Sequence, residues 1–178
     1  MAALDAAELD DIEDCLRAAG LYRQKSLAIK RLARTLLDDY DGDLGCLLGK
    51  PAEEIRAELL KLPMVGYKTA DCMLELGFGV PWLAVDTNVR RVSLRLGFVR
   101  DGSSDYEDIR EQLQALIPEN VECVMDVHTY LLALGKYVCK SRPKCGQCPV
   151  VGQCPSAEVS PAHQGPLSSW DLQDAAAI

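Results

Sequence analysis

Apolar residues recur along this chain at intervals of three and four, and few stretches alternate with a period of two, so the pattern predicts helices almost throughout. From Ala6 to Ala19, acids alternate with Leu9, Ile12, Leu16 and Ala19 at helical spacing, and Gly20 is a suitable stop. Lys25 to Asp39 sets Ile29, Leu32, Ala33, Leu36 and Leu37 on one side as a buried stripe. Pro51 opens a short helix to about Leu60, and after a turn another runs to about Leu76. Thr87 to Leu96, Tyr106 to Leu116 and Val121 to Val138 complete an all-α chain in which any sheet is minor.

The turn between the two middle helices, residues 62–66, reads LPMVG. Pro63 pre-sets φ for a turn, and Gly66 is the residue able to take positive φ. Leu62 and Val65 flank them and let the two helices pack closely. Backbone N–H groups at the start of the second helix then face outward as an anion site, with phosphate the natural occupant. Leu62, Pro63, Val65 and Gly66 are therefore candidate phosphate-contacting residues. Lys68 lies just inside the second helix, and Asp86 follows eighteen residues later. Taken singly, the lysine reads as a solvated surface charge and the aspartate as a helix cap. Together, an amine able to form a Schiff base and a carboxylate able to stabilise a neighbouring positive charge make a candidate reacting pair. Such an amine must be partly neutral against a reference pKa of about 10.4, which calls for a desolvated or cation-flanked pocket.

Cys139, Cys145, Cys148 and Cys154 follow a C-x5-C-x2-C-x5-C spacing in a Pro- and Gly-containing segment. Four thiolates gathered by tight turns can hold an iron–sulfur cluster or zinc. Disulfides fit poorly, since the chain has no apolar leader and reads as intracellular. Cys15, Cys46, Cys72 and Cys123 lack partner spacing and read as buried small apolar residues.

A net charge of −8 argues against nucleic acid until its distribution is considered. Acids crowd residues 1–14 and recur after Cys154, whereas Arg90, Arg91, Arg95 and Arg100 form one acid-free run and Lys136, Lys140, Arg142 and Lys144 another. Lys140, Arg142 and Lys144 are the better phosphate candidates, because a metal-pinned loop presents them rigidly. Both runs also admit the reading of solvated faces. His128 reads as a packed histidine, and Tyr67 and Trp82 as core residues or base-stacking aromatics. At 178 residues with 48% hydrophobic content the chain can bury roughly two-thirds of its unfolded surface. It has no internal repeat and no apolar run long enough for a bilayer.

LPMVGYKTAD followed by LAVDTNVRRV resembles the endonuclease III-type helix-hairpin-helix DNA glycosylases, whose pattern is LPGVGRKTA followed by VDTHIFRV. The resemblance runs from about Gly20 to Cys154. It implies Lys68 as catalytic amine, Asp86 as catalytic carboxylate and a [4Fe-4S] cluster on Cys139, Cys145, Cys148 and Cys154, with zinc the alternative. Three departures stand out: Met64 replaces the hairpin's first glycine, Asn88 replaces a histidine, and the first cysteine interval is one residue shorter than usual. Members of the family also begin further upstream, with helices that complete the helical lobe.

The expectation is an all-α protein of two helical lobes: 1–82 with the hairpin, 83–156 ending in the four-cysteine metal-cluster loop, and a mobile tail over 157–178. The resemblance implies a bifunctional DNA N-glycosylase and abasic-site lyase for base-excision repair, removing an oxidised pyrimidine flipped from duplex DNA. Its partner is then duplex DNA carrying a damaged base or an abasic site, and the protein is a DNA-associated, intracellular monomer without a membrane partner. The rival expectations are a noncatalytic DNA-binding module with an Fe–S or zinc site, and a zinc-stabilised interaction domain without nucleic acid.

Overall fold

The computed structural model describes residues 1–18, 20–100, 102–103 and 105–157, and among them every regular element is helical. Ala19 and the tail from residue 158, expected to be mobile, lie outside the described residues. Two compact units divide the chain, Met1–Ala70 and the part from Asp71 onward.

In the first unit, the helix expected over 6–19 is shorter, α2, Leu9–Leu16, and a separate α1, Ala2–Ala6, precedes it. The break follows from Ala7 and Glu8, both extended, so that Asp10 and Asp11 sit in the first turn of a new helix, where carboxylates meet the positive end of its dipole. Both pack on α3, Tyr22–Tyr40. A 3₁₀ turn over Leu44–Leu47 follows, capped by the Asp43 carboxylate, which accepts from the Gly45 N–H. Helix α4, Ala52–Leu59, starts after Pro51 and buries Ile55 and Leu59. Residues 62–66 lead from it into α5, Tyr67–Cys72.

In the second unit, the chain leaves α5 through a widened π-turn, Met73–Gly77, that buries Leu74 and Glu75. An irregular segment then enters α6, Thr87–Leu96, followed by α7, Tyr106–Gln114, and α8, Val121–Tyr137. Each of these three helices carries the start signal its sequence advertises: Asp86, Asp105 and Asn120 are N-caps whose side chains accept first-turn N–H bonds. Helices α6 and α8 pack against each other around a core that includes Leu83, Val89, Val92, Ile109, Leu113 and Val124. Gly135 permits their close approach, since a Cβ there would lie 2.6 Å from the Cβ of Asn88. Short 3₁₀ turns at Cys145–Gln147 and Val151–Gln153 shape the segment after α8. No helix among the described residues is long and apolar enough to cross a membrane.

Candidate functional site

The hairpin is closed by local backbone bonds. Val65 N donates to Leu62 O at 3.2 Å, and Thr69 and Ala70 N–H groups donate to Gly66 O at 3.0 and 2.9 Å. Positive φ was expected at Gly66, but it falls on Met64 at 64°. A side chain therefore sits where the family motif has glycine; it points out of the fold, 75% exposed, and the cost is the local contact of its Cβ with its own backbone. Gly66 is exposed, and a Cβ added there would meet nothing within 4 Å, so the space over its backbone is open. Leu62 is buried and Pro63 and Val65 are half-buried; the Leu62 and Val65 N–H groups donate to Leu59 O and Leu62 O, and Pro63 has no N–H, so these three shape the turn while Gly66 is its exposed backbone. Lys68 is exposed in the first turn of α5. Tyr67 is exposed beside it, under the Arg56 guanidinium at 5.0 Å from its ring centre.

Asp86 is half-buried and works as the cap its sequence context allows. Its Oδ1 accepts from the Asn88 and Val89 N–H groups, both at 2.7 Å, and Oδ2 accepts from Asn88 Nδ2 at 3.1 Å. Asn88 Oδ1 in turn accepts from Arg91 Nη2 at 2.7 Å. Arg91 also donates to the carbonyls of Gly135 at 2.9 Å and Cys139 at 2.8 Å. A continuous polar chain thus runs from Asp86 through Asn88 and Arg91 to the first cysteine of the loop. The asparagine that departs from the family's histidine is a working link in it.

Cys139, Cys145, Cys148 and Cys154 line one cavity, whose remaining wall is largely apolar, with Val92, Leu96, Leu134, Val138 and Val151 among it. Burial pushes the Cys148 thiol above its ordinary pKa, and the charges of Cys139, Cys154 and Cys145 add to the rise against a lowering backbone hydrogen bond at Val150. Among the described residues, no three His, Cys, Asp or Glu side chains are grouped so as to hold a metal ion. Four thiols around one largely apolar cavity nevertheless fit a cluster whose ligands surround a body of several irons. Arg95 staples this loop: Nη1 donates to Lys140 O at 2.6 Å and lies 3.4 Å from Cys139 Sγ, while Nη2 donates to Ser141 O at 3.1 Å. Lys140, Arg142 and Lys144 are exposed.

The first basic run therefore differs from the surface its charges suggested. Arg91 and Arg95 turn inward onto carbonyls, and Arg100 contacts Asp108 and Gln112. The isolated cysteines also differ from expectation: Cys15 and Cys46 are exposed, and Cys72 and Cys123 only half-buried. Short amphipathic helices simply have more faces than this core covers. Sequence reasoning passed over Glu75, which is 1% exposed and bonded to His128 Nδ1 at 2.7 Å. It also passed over Tyr106, whose hydroxyl donates to Asp71 Oδ2 at 2.8 Å and accepts from Val85 N at 3.2 Å. Neither pair has a spacing signal.

Residues 1–119 match the family described as HhH-GPD superfamily base excision DNA repair protein. Endonuclease III of Bacillus subtilis is 38% identical over 145 residues, which is 81% of this chain and 61% of that protein. The chain spans less than two thirds of that relative's length. A solved structure of a trapped endonuclease III–DNA covalent intermediate is similar with a TM-score of 0.73 at 38% identity, covering 87% of this chain and 68% of that one. A thermostable thymine-DNA glycosylase reaches the same TM-score, 0.73, at 27% identity over 87% of this chain and 68% of its own. Helices, hairpin and capped aspartate together define the all-α helix-hairpin-helix glycosylase fold. The chain belongs to the HhH-GPD superfamily of base-excision DNA repair proteins.

Proposed function

We propose that the protein is a bifunctional base-excision enzyme that removes an oxidised pyrimidine from duplex DNA and cleaves the strand at the resulting abasic site. The observation that carries this reading is Lys68, exposed in the first turn of the helix after the hairpin, in a chain 38% identical to an endonuclease III trapped covalently on DNA. In this reading the Lys68 amine bonds to the sugar carbon that held the base, and the base departs with the bonding electrons. The nitrogen then gives up its proton, and the sugar ring opens as its oxygen leaves that carbon with the bonding pair and takes up a proton, which gives the Schiff base; loss of a proton from the neighbouring carbon expels the 3′ phosphate by β-elimination, and water then frees the lysine. Asp86 would stabilise the positive charge on the sugar or relay the proton. Lys68 is exposed in the free chain, and bound DNA is what would exclude water around it.

The functional division falls at 82/83, with hairpin and amine on one side and carboxylate and cysteine loop on the other. Open space over Gly66 supports phosphate binding by the hairpin backbone, and exposure of Lys140, Arg142 and Lys144 supports phosphate contacts from the loop. Cys139, Cys145, Cys148 and Cys154 would hold a [4Fe-4S] cluster, whose contribution is to brace that loop; zinc is the alternative for the same thiols.

Borohydride trapping on a duplex with one abasic site tests the central claim. A covalent protein–DNA adduct is expected with the natural chain and none with Lys68→Ala. Binding of the duplex by folded protein without any adduct would mean that the chain is a noncatalytic DNA-binding module.

A further inference from the structure

The irregular segment that delivers Asp86 to the head of α6 has no regular structure of its own, yet Leu83, Ala84 and Val85 are buried. Buried backbone outside helices must find its hydrogen bonds elsewhere. Two side chains of α7 supply them: Gln114 Oε1 accepts from Leu83 N at 2.8 Å, and the Tyr106 hydroxyl accepts from Val85 N at 3.2 Å. Leu83 and Val85 are alternate residues, whose amides leave an extended segment on the same edge. Tyr106 also uses its proton, donating to Asp71 Oδ2 at 2.8 Å. Asp71 is fully buried and stands in α5, three residues after Lys68.

We propose that α7 is a splint for Asp86, with Tyr106 and Gln114 as positioning residues that hold the segment in register, and with the Asp71–Tyr106 bond fastening the splint to α5. The inference deepens the reading of Asp86 as the reacting carboxylate and rests on it. A hydroxyl that only satisfied a buried amide would affect Val85 alone. A splint transmits: when Val85 loosens, the cap bonds from Asp86 to Asn88 and Val89 loosen with it. Asp86 then spends less time in one orientation, which slows chemistry without weakening the hold on DNA.

Tyr106→Phe removes one oxygen and keeps the ring. Amide hydrogen exchange, followed residue by residue on the full chain, is expected to quicken at Val85 and also at Asn88 and Val89, with α8 amides unchanged as the reference. Single-turnover borohydride trapping on abasic duplex is expected to slow about ten-fold, with the Kd for that DNA within about two-fold of the natural chain. Gln114→Leu is expected to show the same signature through Leu83, and carries the test if the first variant fails to fold. Quickened exchange confined to Val85 or Leu83, or a Kd that worsens in step with the rate, would overturn the splint. If the natural chain gives no Lys68-dependent adduct, the catalytic reading falls, while exchange at Asn88 and Val89 still decides whether α7 holds Asp86.

Discussion

The hairpin at 62–66 and the cysteine loop at 139–154 are both read as phosphate-facing surfaces, but they are held in opposite ways. The backbone bonds that close the hairpin span three or four residues, from Val65 N to Leu62 O and from Thr69 and Ala70 N to Gly66 O. The loop also has local turns, yet its path is pinned by side chains far away in sequence. Arg91 holds the Cys139 carbonyl across 48 residues, and Arg95 holds Lys140 and Ser141 across 45 and 46. The hairpin is thus a property of its own few residues. The loop is a property of α6, of the α6–α8 contact and, in the proposed reading, of a bound cluster.

Removing the proposed cluster should sharpen that contrast most. Chelation of any bound metal, or replacing Cys145 with Ser, is expected to free Lys140, Arg142 and Lys144 from a common path while the hairpin persists. If these three are phosphate contacts, the slope of log K against log salt should become shallower by about 2.7, and the triple alanine variant should reproduce the change. An unchanged slope would assign the phosphate contacts to the hairpin and other residues.

Next in size is Arg91→Ala. It removes bonds to Gly135, Cys139 and Asn88 at once, and a cost of about 2 kcal/mol in denaturant unfolding is expected, together with faster tryptic cleavage within 140–144. Equal stability would show that the loop's own turns suffice. In the hairpin, Met64→Gly should raise stability by up to about 1 kcal/mol, because glycine accepts φ of 64° without the steric penalty. The greater backbone freedom of glycine in the unfolded chain trims that gain. A destabilised glycine variant would mean that the exposed methionine makes a contribution beyond its backbone.

The smallest effect concerns α4, the helix leading into the hairpin. Lys61 Nζ donates to Glu58 at 2.7 Å and the Tyr40 hydroxyl at 3.1 Å, which together hold the Glu58 carboxyl below the usual glutamate pKa. A depressed folded-state value stabilises above the unfolded value of about 4.3 and is lost as pH falls through the folded one. Glu58→Gln should therefore narrow the stability difference between pH 6 and pH 3 by a small, salt-sensitive amount. A difference indifferent to the substitution would place the acid sensitivity elsewhere.

The elements legible beforehand were those whose signals are local. Helix α6 begins and ends at Thr87 and Leu96 as expected, because Asp86 and Gly97 mark its two ends. Pro51 announced α4. The cysteine spacing announced that four thiols share one cavity, since turns of two to five residues leave them nowhere else to go. Local signals also misled where two compete. Positive φ was assigned to Gly66, the residue that tolerates it best, although the backbone path of the turn demands it at Met64.

By itself, then, the sequence determined the helical class, the hairpin, the two candidate reacting side chains and the four-cysteine spacing. Each depends on propensity, capping or chemistry within a few residues. Only the tertiary structure decided that Arg91 and Arg95 face inward, that His128 pairs with the buried Glu75, and that Tyr106 and Gln114 grip the approach to Asp86. Their partners lie 31, 21, 48, 45 and 53 residues away, and no periodicity encodes which distant carbonyl or carboxylate a side chain will meet. That is settled by helix packing, above all at Gly135, where the absence of one Cβ lets α6 and α8 approach.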